Sequence, residues 1–270
     1  MSKLLQSIKR SDIYQRSKAS WIYDAYWIIA KKPYVEDRRQ EIAFYHRLLA
    51  GFRNGDLIFD IGANEGYKTG IFLKLGARVI SIEPDETCQH LLNQQFIKYR
   101  LLKKPIVIVP KAVSDKRSVE KMWVNRPGSA INTLSQKWAD VLTNDHQRFG
   151  ASLQFGKCKD VETVPIDELI AEYGAPFFIK IDVEGHELSV LRGLRQPVPY
   201  LSFEVNLPEF RREGIECIRC LESLDPSGVF NFSADCRKGL EFSEWLSAEA
   251  CSTALRSCAE SSIEVFWKTV

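Results

Sequence analysis

The chain has 270 residues with a formal net charge of +2, and 45% of its residues are apolar. This length suits one large domain, or one domain with a cap, and is sufficient to bury a substantial core. A charge so close to balance gives no electrostatic case for nucleic-acid binding. The apolar content is that of an ordinary globular protein.

The seven cysteines are scattered and odd in number, which argues for a reducing compartment rather than a disulfide framework. Cys217 and Cys220 have no matching second pair at zinc-ribbon spacing, so we interpret them as structural. No secretory signal is visible, and no apolar run approaches the roughly 18–20 residues that a membrane span needs. We therefore expect a cytoplasmic protein without a membrane span.

Residues 1–50 are predicted to form a helical cap, and residues 51–270 the main domain. Residues 21–30, WIYDAYWIIA, are unusually aromatic but too short to cross a bilayer. They are expected to pack on the core or at a homodimer contact. A membrane-surface or substrate-facing element is the alternative, because two lysines follow directly. Residues 36–49 carry apolar side chains at helical spacing.

The first strand–turn–helix–strand unit predicts a nucleoside site. Asp60 lies near the end of an apolar run, and a turn with Gly62, Asn64 and Gly66 follows at once. Glycines at such a turn let a ligand approach the backbone closely. Glu83, at the end of the second strand and roughly 20 residues further on, is placed to accept hydrogen bonds from ribose hydroxyls.

The pattern of this turn narrows the choice of nucleoside. The dinucleotide fingerprint G-x-G-x-x-G is missing, because Asn64 stands where its second glycine would be. An acidic residue before G-x-N-x-G, and another after the next strand, resemble the first motif of class I S-adenosylmethionine (SAM) methyltransferases. A generic α/β turn with a solvated Glu83 is the alternative.

Strand and helix signals alternate along the rest of the chain and end in a late pair of strands. This order predicts a doubly wound, mostly parallel sheet with an antiparallel edge. Residues 126–160 are the least regular and are expected to form a lid or substrate wall, with an ordinary surface excursion as the alternative. Strands are predicted at 57–61, 78–82, 106–109, 161–164, 177–181, 200–205, 229–233 and 263–267, with an added strand at 118–125. Helices are predicted at 67–75, 86–102, 166–173, 188–194 and 242–246.

A second group of charged residues follows the strand at 177–181. Asp182, Glu184, His186 and Glu187 crowd into six positions at its carboxyl end, where ligands bind in α/β sheets. His186 precedes a helix whose positive end lowers the pKa of an imidazole and favours its neutral, proton-accepting form. The alternative for His186 is a helix-start residue that only hydrogen-bonds its neighbours.

Together these motifs resemble the FkbM family of SAM-dependent methyltransferases over roughly residues 57–206. The resemblance implies a class I methyltransferase fold, with a seven-stranded Rossmann-like sheet, and transfer of a methyl group, typically to a hydroxyl oxygen. The residues that carry it are FDIGANEGY at 59–67, IEP at 82–84, KAVSD at 111–115, IKIDVEGHE at 179–187, LRG at 191–193 and FE at 203–204.

The resemblance also implies roles for single residues. Glu83 would hold the ribose hydroxyls of SAM, and Asp182 would lie beside the sulfonium and the acceptor. The other implied cofactor residues are Asp60, Gly62, Asn64 and Gly66 around the methionine end, and Pro84, Ala112, Val113 and Ser114 at the adenosine end.

An alcohol is a poor nucleophile, so a base assists the transfer. His186 is our predicted base, and Asp182 and Glu184 are the other candidates. Glu204 is expected either to orient the substrate or only to satisfy neighbouring strand ends. With Asp182 and Glu184 it also forms a set of hard oxygen ligands that suits Mg²⁺.

The acceptor predicted on this basis is a hydroxyl on a sugar, a glycan or another small-molecule natural product. Two other functions stay open. One is a nucleotide-dependent oxidoreductase on the same scaffold, against which the missing second glycine argues. The other is a non-catalytic SAM-binding or nucleoside-binding module.

Overall fold

The computed structural model describes residue 16 and residues 33–101, 105–145 and 153–270. The aromatic segment at residues 21–30 lies outside this part of the chain. Its expected cap or homodimer contact, and the boundary near residue 50, therefore stay predictions.

Helices and strands alternate along the described residues, and we number them in chain order. The strands are β1 (Leu57–Ile61), β2 (Arg78–Ile82), β3 (Ile106–Val109), β4 (Ala112–Val113), β5 (Ser118–Val124), β6 (Lys157–Val164), β7 (Phe178–Ile181), β8 (Tyr200–Asn206), β9 (Val229–Ser233) and β10 (Ser262–Lys268). The helices are α1 (Pro33–Leu48), α2 (Tyr67–Lys74), α3 (Glu86–Gln95), α4 (Ile97–Leu101), α5 (Gln136–Asn144), α6 (Ile166–Tyr173), α7 (Glu187–Arg192), α8 (Arg211–Leu224) and α9 (Ala248–Ser257).

Seven strands form the main sheet in the order β3-β2-β1-β7-β8-β10-β9. Neighbours from β3 to β8 run parallel. Strand β10 is antiparallel to both β8 and β9. The predicted doubly wound, mostly parallel sheet with an antiparallel edge is confirmed. The carboxyl ends of β1, β2 and β7 consequently meet at one edge, where sheets of this kind bind ligands.

Apolar side chains on both faces hold helices against this sheet, as the fully buried strand β1 shows. Successive side chains of a strand point to opposite faces. Ile58 belongs to the cluster that includes Phe72 of α2 and residues of α1. Phe59 belongs to the opposite cluster, with Trp138 of α5 and Ile218 of α8.

A second sheet of three strands, in the order β4-β6-β5, lies beside the main one. Strand β6 pairs in parallel with β4 and antiparallel with β5. The sequence predicts β5 and the end of β6 as strands, but it does not indicate that they form a sheet of their own. The least regular region also contains a helix that the sequence does not predict, α5, which begins where Ser135 accepts the backbone N–H of Trp138 over 3.2 Å. Trp138 is fully buried, so this part of the region belongs to the core.

Two helix predictions differ from the structure. The helix expected at 86–102 is divided into α3 and α4 at Phe96, whose ring is buried. The helix expected at 242–246 is wrong. Leu246 there forms a β-bridge with Phe230, and Asn231 Nδ2 donates to the carbonyl of Phe242 over 2.8 Å.

The helix of that region is α9, which begins after Ser247, where the side chain accepts the backbone N–H of Ala250. Helix α8 was not predicted, although Cys217, Ile218 and Leu221 recur at helical spacing along its buried side. Burial raises the pKa of the Cys217 thiol well above its usual value, which makes it unreactive and agrees with a structural role. Within the described ranges, no helix is both long and apolar enough to cross a bilayer.

We expect Phe72→Ala to lower the free energy of unfolding by about 3–5 kcal/mol, because it removes packed atoms and leaves a cavity. The ring is fully buried, with its centroid 5.2 Å from that of Tyr45 and 5.7 Å from that of Phe178. Denaturant titration measures the change. Lys74→Ala, at an exposed position of the same helix, is the control and should stay within about 0.5 kcal/mol. A loss below about 1 kcal/mol for Phe72→Ala would contradict this packing.

Candidate active site

A row of buried polar side chains crosses the main sheet on the face covered by α2. Asp60 of β1 is in register with Ser81 of β2 and with Lys180 of β7. Lys180 is in turn in register with Ser202 of β8, and all four are at most 3% exposed. Ser202 donates to Glu264 Oε1 of β10 over 2.7 Å. Buried polar groups require partners, and this row supplies them across five strands.

Hydrogen bonds at the centre of the row fix the two acidic side chains. The Thr69 hydroxyl of α2 donates to Asp60 Oδ2 over 2.6 Å and lies 2.9 Å from Ser81 Oγ. Lys180 Nζ donates to Asp182 Oδ2 over 2.7 Å. The middle of the sheet thereby sets the position of Asp182, which lies just beyond the end of β7.

Burial and the Lys180 ammonium act in opposite directions on the pKa values of these groups. Burial raises the pKa of Asp60, and Lys180 and Thr69 offset this only in part. Burial disfavours a charged lysine, but the Asp182 carboxylate outweighs it and raises the pKa of Lys180. For Asp182 burial is again opposed by Lys180, which holds its pKa below the usual value. Lys180 and Asp182 therefore form a charged pair at neutral pH.

The turn after β1 is built on left-handed backbone. Gly62, Asn64 and Gly66 have φ angles of 82°, 48° and 85°. A Cβ atom on Gly62 would lie 1.8 Å from the carbonyl oxygen of Asp182, so only glycine allows the turn to lie this close to the end of β7. The Gly62 N–H donates to the carbonyl of Ile82 over 3.0 Å, which ties the turn to β2.

Backbone donors hold the Glu83 carboxylate at the end of β2. The N–H groups of Asn64 and Asp85 donate to its two oxygens, each over 2.8 Å. Burial raises the pKa of Glu83 to about 7, although these two donors lower it in part. Glu83 is therefore fixed in position and changes its charge near neutral pH.

Asp85 connects this site to the region after β5. Its carboxylate caps α3 by accepting the Thr87 N–H over 2.8 Å. It also accepts the Gly128 N–H over 3.2 Å and the Asn132 side-chain N–H over 3.0 Å. The first part of the predicted lid or wall is thereby held against α3.

Two cavities meet at the glycine turn and share Gly62, Asn64 and Asp182. The first has a volume of about 140 Å³ and the second of about 350 Å³. The first is lined by Ile61, Ile82, Glu83, Pro84, Lys111, Ala112, Val113, Met122, Ser129, Ala130, Asn132, Thr133, Leu134, Val183, Glu184 and His186 besides the shared three. The second is lined by Asp60, Ala63, Glu65, Tyr67, Lys68 and Lys180 besides the shared three.

Most residues implied by the resemblance line these cavities. Gly66 and Ser114 line neither: Gly66 is the N-cap of α2, and Ser114 contacts His186. Glu204 also lies outside both linings. It nevertheless approaches the site, because Asp182, Glu184 and Glu204 each present a carboxylate oxygen, all within 4.8 Å of one another.

Neighbouring donors orient this group of three carboxylates, which we call the acidic cluster. The Trp138 indole N–H donates to Glu184 Oε2 over 2.9 Å, and the Ser262 hydroxyl donates to Glu204 Oε1 over 2.8 Å. Burial, followed by the charge of Asp182, raises the pKa of Glu184 to about 8. The same two causes raise the pKa of Glu204 well above its usual value. These shifts favour the protonated forms of Glu184 and Glu204.

The imidazole of His186 faces the second sheet. Its Nε2 lies 3.1 Å from Ser114 Oγ and 3.8 Å from Glu120 Oε2. Burial lowers the pKa of His186, and Glu120 and Asp115 oppose this only in part. This lowered pKa favours the neutral form of His186, and burial is its largest cause.

Three residues contribute to the site although no sequence motif indicates a role for them. They are Lys180, which pairs with Asp182, Asp85, which fixes the wall, and Trp138, which binds Glu184. For Lys180 the sequence does contain a signal, because a lysine in the middle of an apolar strand indicates a buried charged partner. The sequence carries no local signal for the other two, since their partners are distant along the chain.

A family model described as a methyltransferase FkbM domain matches residues 60–224, more than half of the chain. The match begins at Asp60 and ends with the last residue of α8. Among curated proteins, no sequence matches this chain significantly.

Solved structures similar to this chain share little of its sequence. The plantazolicin methyltransferase in complex with SAH is 12% identical, covers 99% of each chain and gives a TM-score of 0.40. A putative RNA methyltransferase from Pyrococcus horikoshii is 13% identical over 87% of this chain and 85% of its own, with a TM-score of 0.42. A SAM-dependent O-methyltransferase from Thermotoga maritima is 11% identical over 86% and 65%, with a TM-score of 0.41. At such scores the family assignment depends on the sequence match alone.

Replacing Lys180 by methionine should lower the free energy of unfolding at about pH 8 by about 2–4 kcal/mol. This is below the cost of fully buried pairs, because Asp182 is 34% exposed and partly screened by solvent. The loss should shrink towards about pH 5, since the orphaned carboxylates can then take up protons. In the native protein the pKa of Asp182 is lowered, so its stabilising contribution is present at neutral pH and is lost only in acid.

Denaturant titration of both proteins at several pH values measures this effect. Lys121→Met is the control, since that lysine pairs with Asp160 at the surface and should contribute less than about 1 kcal/mol. A loss for Lys180→Met that is the same at every pH would contradict the charged pair.

Proposed function

The chain belongs to the FkbM methyltransferase family, and we propose that this SAM-dependent methyltransferase methylates a hydroxyl oxygen on a sugar, a glycan or another small natural product. The observation that carries the proposal is the junction of the two cavities at Gly62, Asn64 and Asp182. One cavity ends at a carboxylate suited to ribose, and the other is lined by charged groups of both signs. An adenosine joined to an amino acid matches this pair of cavities.

The cofactor residues divide between the two cavities. Glu83 accepts the ribose hydroxyls in the first, where Pro84, Ala112 and Val113 supply the apolar wall for adenine. Asp60 lines the second, with the shared Gly62 and Asn64 at the junction. Gly66 and Ser114 contribute indirectly. Gly66 is the N-cap of α2, and Ser114 contacts His186.

In methyl transfer to oxygen, the protein mainly positions the methyl donor and the acceptor and forms no covalent bond to either. SAM supplies an electrophilic methyl group on its sulfonium. Asp182, at the junction, holds the reacting centre in place, and the acidic cluster beyond it receives the hydroxyl. We keep His186 as the base: with its Nε2–H donating to Ser114, the lone pair of Nδ1 is left to accept the hydroxyl proton.

The pKa values of the other two candidates, Asp182 and Glu184, make them less suited than His186 to accept a proton at neutral pH. Asp182 is paired with Lys180, which lowers its pKa and makes it a weak base. Glu184 has its pKa raised to about 8, so at neutral pH most of it is protonated. Both stay close enough to the junction to bind and orient the acceptor.

Mg²⁺ remains a prediction for the acidic cluster. Carboxylate oxygens within 4.8 Å of one another are ligands of the kind that Mg²⁺ prefers. Asp182, Glu184 and Glu204 would hold it, and it would lower the pKa of a bound hydroxyl. Protonation of Glu184 and Glu204 would also reduce the repulsion among the three carboxylates, without a metal.

The partner expected for this site is a small molecule rather than a nucleic acid, in keeping with the near-balanced net charge. The family match disfavours the oxidoreductase alternative. A non-catalytic SAM-binding module would keep the cavities but form no product, so turnover distinguishes it from the enzyme.

Calorimetric titration with SAM, S-adenosylhomocysteine (SAH), NAD and NADP, each with and without Mg²⁺, tests the cofactor. We expect binding of the first two alone. Incubation with SAM and a panel of sugar and glycan alcohols then tests the reaction, by mass gain of the acceptor and by release of SAH. Binding of NAD or NADP in place of SAM would contradict the proposal, and SAM binding without any product would favour the non-catalytic module.

For the base, His186→Asn should lower kcat by roughly 100-fold or more, while the affinity for SAM changes only a few-fold. Glu184→Gln is the comparison, because it keeps the size of the side chain and can accept the Trp138 N–H. A larger loss of kcat for Glu184→Gln than for His186→Asn would assign the base to Glu184 instead.

Adenosine should bind roughly tenfold more tightly at about pH 8 than at about pH 6. The reason is that the ionised Glu83 carboxylate accepts two ribose hydroxyls, and its pKa is raised to about 7. Adenosine itself does not titrate in this range, so calorimetry reports the protein. Glu83→Gln is the matched variant and should bind weakly with little dependence on pH. An equal pH dependence in the two proteins would show that another group is responsible.

A further inference from the structure

The second cavity has an arrangement of charge that the family assignment does not account for. Asp60 and Asp182 from the sheet and Lys68 from α2 all line it. Lys180 also lines it, but it is only 3% exposed and its ammonium donates to Asp182. Among the residues described around this cavity, Lys68 is therefore the cation that is best placed to meet a ligand.

Contacts with α1 hold the side chain of Lys68. Its ammonium donates to Glu41 and, over 3.3 Å, to the Tyr45 hydroxyl. The Tyr67 hydroxyl donates to the other oxygen of Glu41 over 3.0 Å. An ammonium has three N–H donors, and the described residues accept two of them. The third donor remains for a ligand, since the Lys68 side chain is 21% exposed and lines the cavity.

The charge of Lys68 is maintained despite its surroundings. Burial lowers its pKa, but Glu264 and Glu41 outweigh burial and raise it. A positive charge therefore lines the same space of about 350 Å³ as the two carboxylates. An amino-acid group, with an ammonium at one side and a carboxylate at the other, complements this pattern.

We propose that Lys68 binds the carboxylate of the methionine part of SAM, so that α1, through Glu41 and Tyr45, becomes part of the cofactor site. This rests on the proposed function, and it adds a residue that the sequence motifs did not mark. It also gives a role to α1, which lies before the residues 60–224 that match the family.

The test compares three ligands by calorimetry: SAH, its analogue that lacks only the carboxylate, and 5′-methylthioadenosine, which lacks the whole amino acid. We expect the native protein to prefer SAH to the decarboxylated analogue by roughly tenfold or more, as for a hydrogen bond to a charged group. In Lys68→Met this preference should fall close to one. Binding of 5′-methylthioadenosine should change by less than roughly twofold, since the lost contact lies outside its reach.

Lys74→Met is the matched control, because Lys74 is an exposed lysine at the other end of α2. It should keep the native preference for SAH. Lys68→Gln, which can still hydrogen-bond Glu41, replaces Lys68→Met if that variant does not fold. A preference for SAH that survives in the Lys68 variants, or that is missing in the native protein, would overturn the inference.

Loss of all three ligands to the same extent would also overturn it, because it would show that Lys68 only supports the fold. Failure of the native protein to bind either SAH or 5′-methylthioadenosine is a different result, which would contradict the proposed function itself.

Discussion

The site depends on one buried cation, Lys180, in the middle of the main sheet. Its neighbours in space are two carboxylates, Asp60 in the adjoining register position and Asp182 just beyond the end of its own strand. Asp60 is buried and Asp182 is partly buried, and carboxylates removed from water in this way would take up protons or destabilise the fold if they had no partner. Lys180 keeps Asp182 ionised, and Thr69 supports Asp60 from the helix above. The sheet therefore both positions Asp182 and supplies the positive charge that keeps it ionised.

The backbone makes the same site rigid from the other side. Only a glycine at position 62 allows the turn to approach the end of β7, because a Cβ atom would overlap the Asp182 carbonyl. The turn then delivers the Asn64 N–H to Glu83, and Asp85, two residues on, holds the wall of the first cavity. Backbone donors carry no side-chain entropy, so a ribose hydroxyl would meet a carboxylate that is already oriented. One turn thereby aligns two strand ends and both cavities.

The sequence predicts the parts of this arrangement that depend on local pattern. Strands β1, β2 and β7 and the glycine turn follow from apolar runs and residue spacing, and the structure confirms them. The position of Glu83 just after β2 follows from the same spacing. Contacts between distant segments are not encoded locally, so the partner of Asp85 in the wall and the second sheet could not be predicted. Helix α9 was displaced in the prediction because Asn231 binds the carbonyls of the preceding segment and keeps it extended. Lys180 is part of the motif IKIDVEGHE at 179–187, yet only the register of the sheet shows that it lies beside Asp60.

The raised pKa values of the acidic cluster are consistent with the chemistry proposed for it. In a methyl transfer from a sulfonium to oxygen, positive charge on the cofactor spreads and disappears as the reaction proceeds. A strongly anionic site would bind the cationic ground state more tightly than the transition state and would slow the reaction. Lys180 already neutralises Asp182, and burial favours the protonated forms of Glu184 and Glu204. The junction is therefore polar but close to neutral, so that its hydroxyl and indole donors can orient an acceptor without holding back the methyl group.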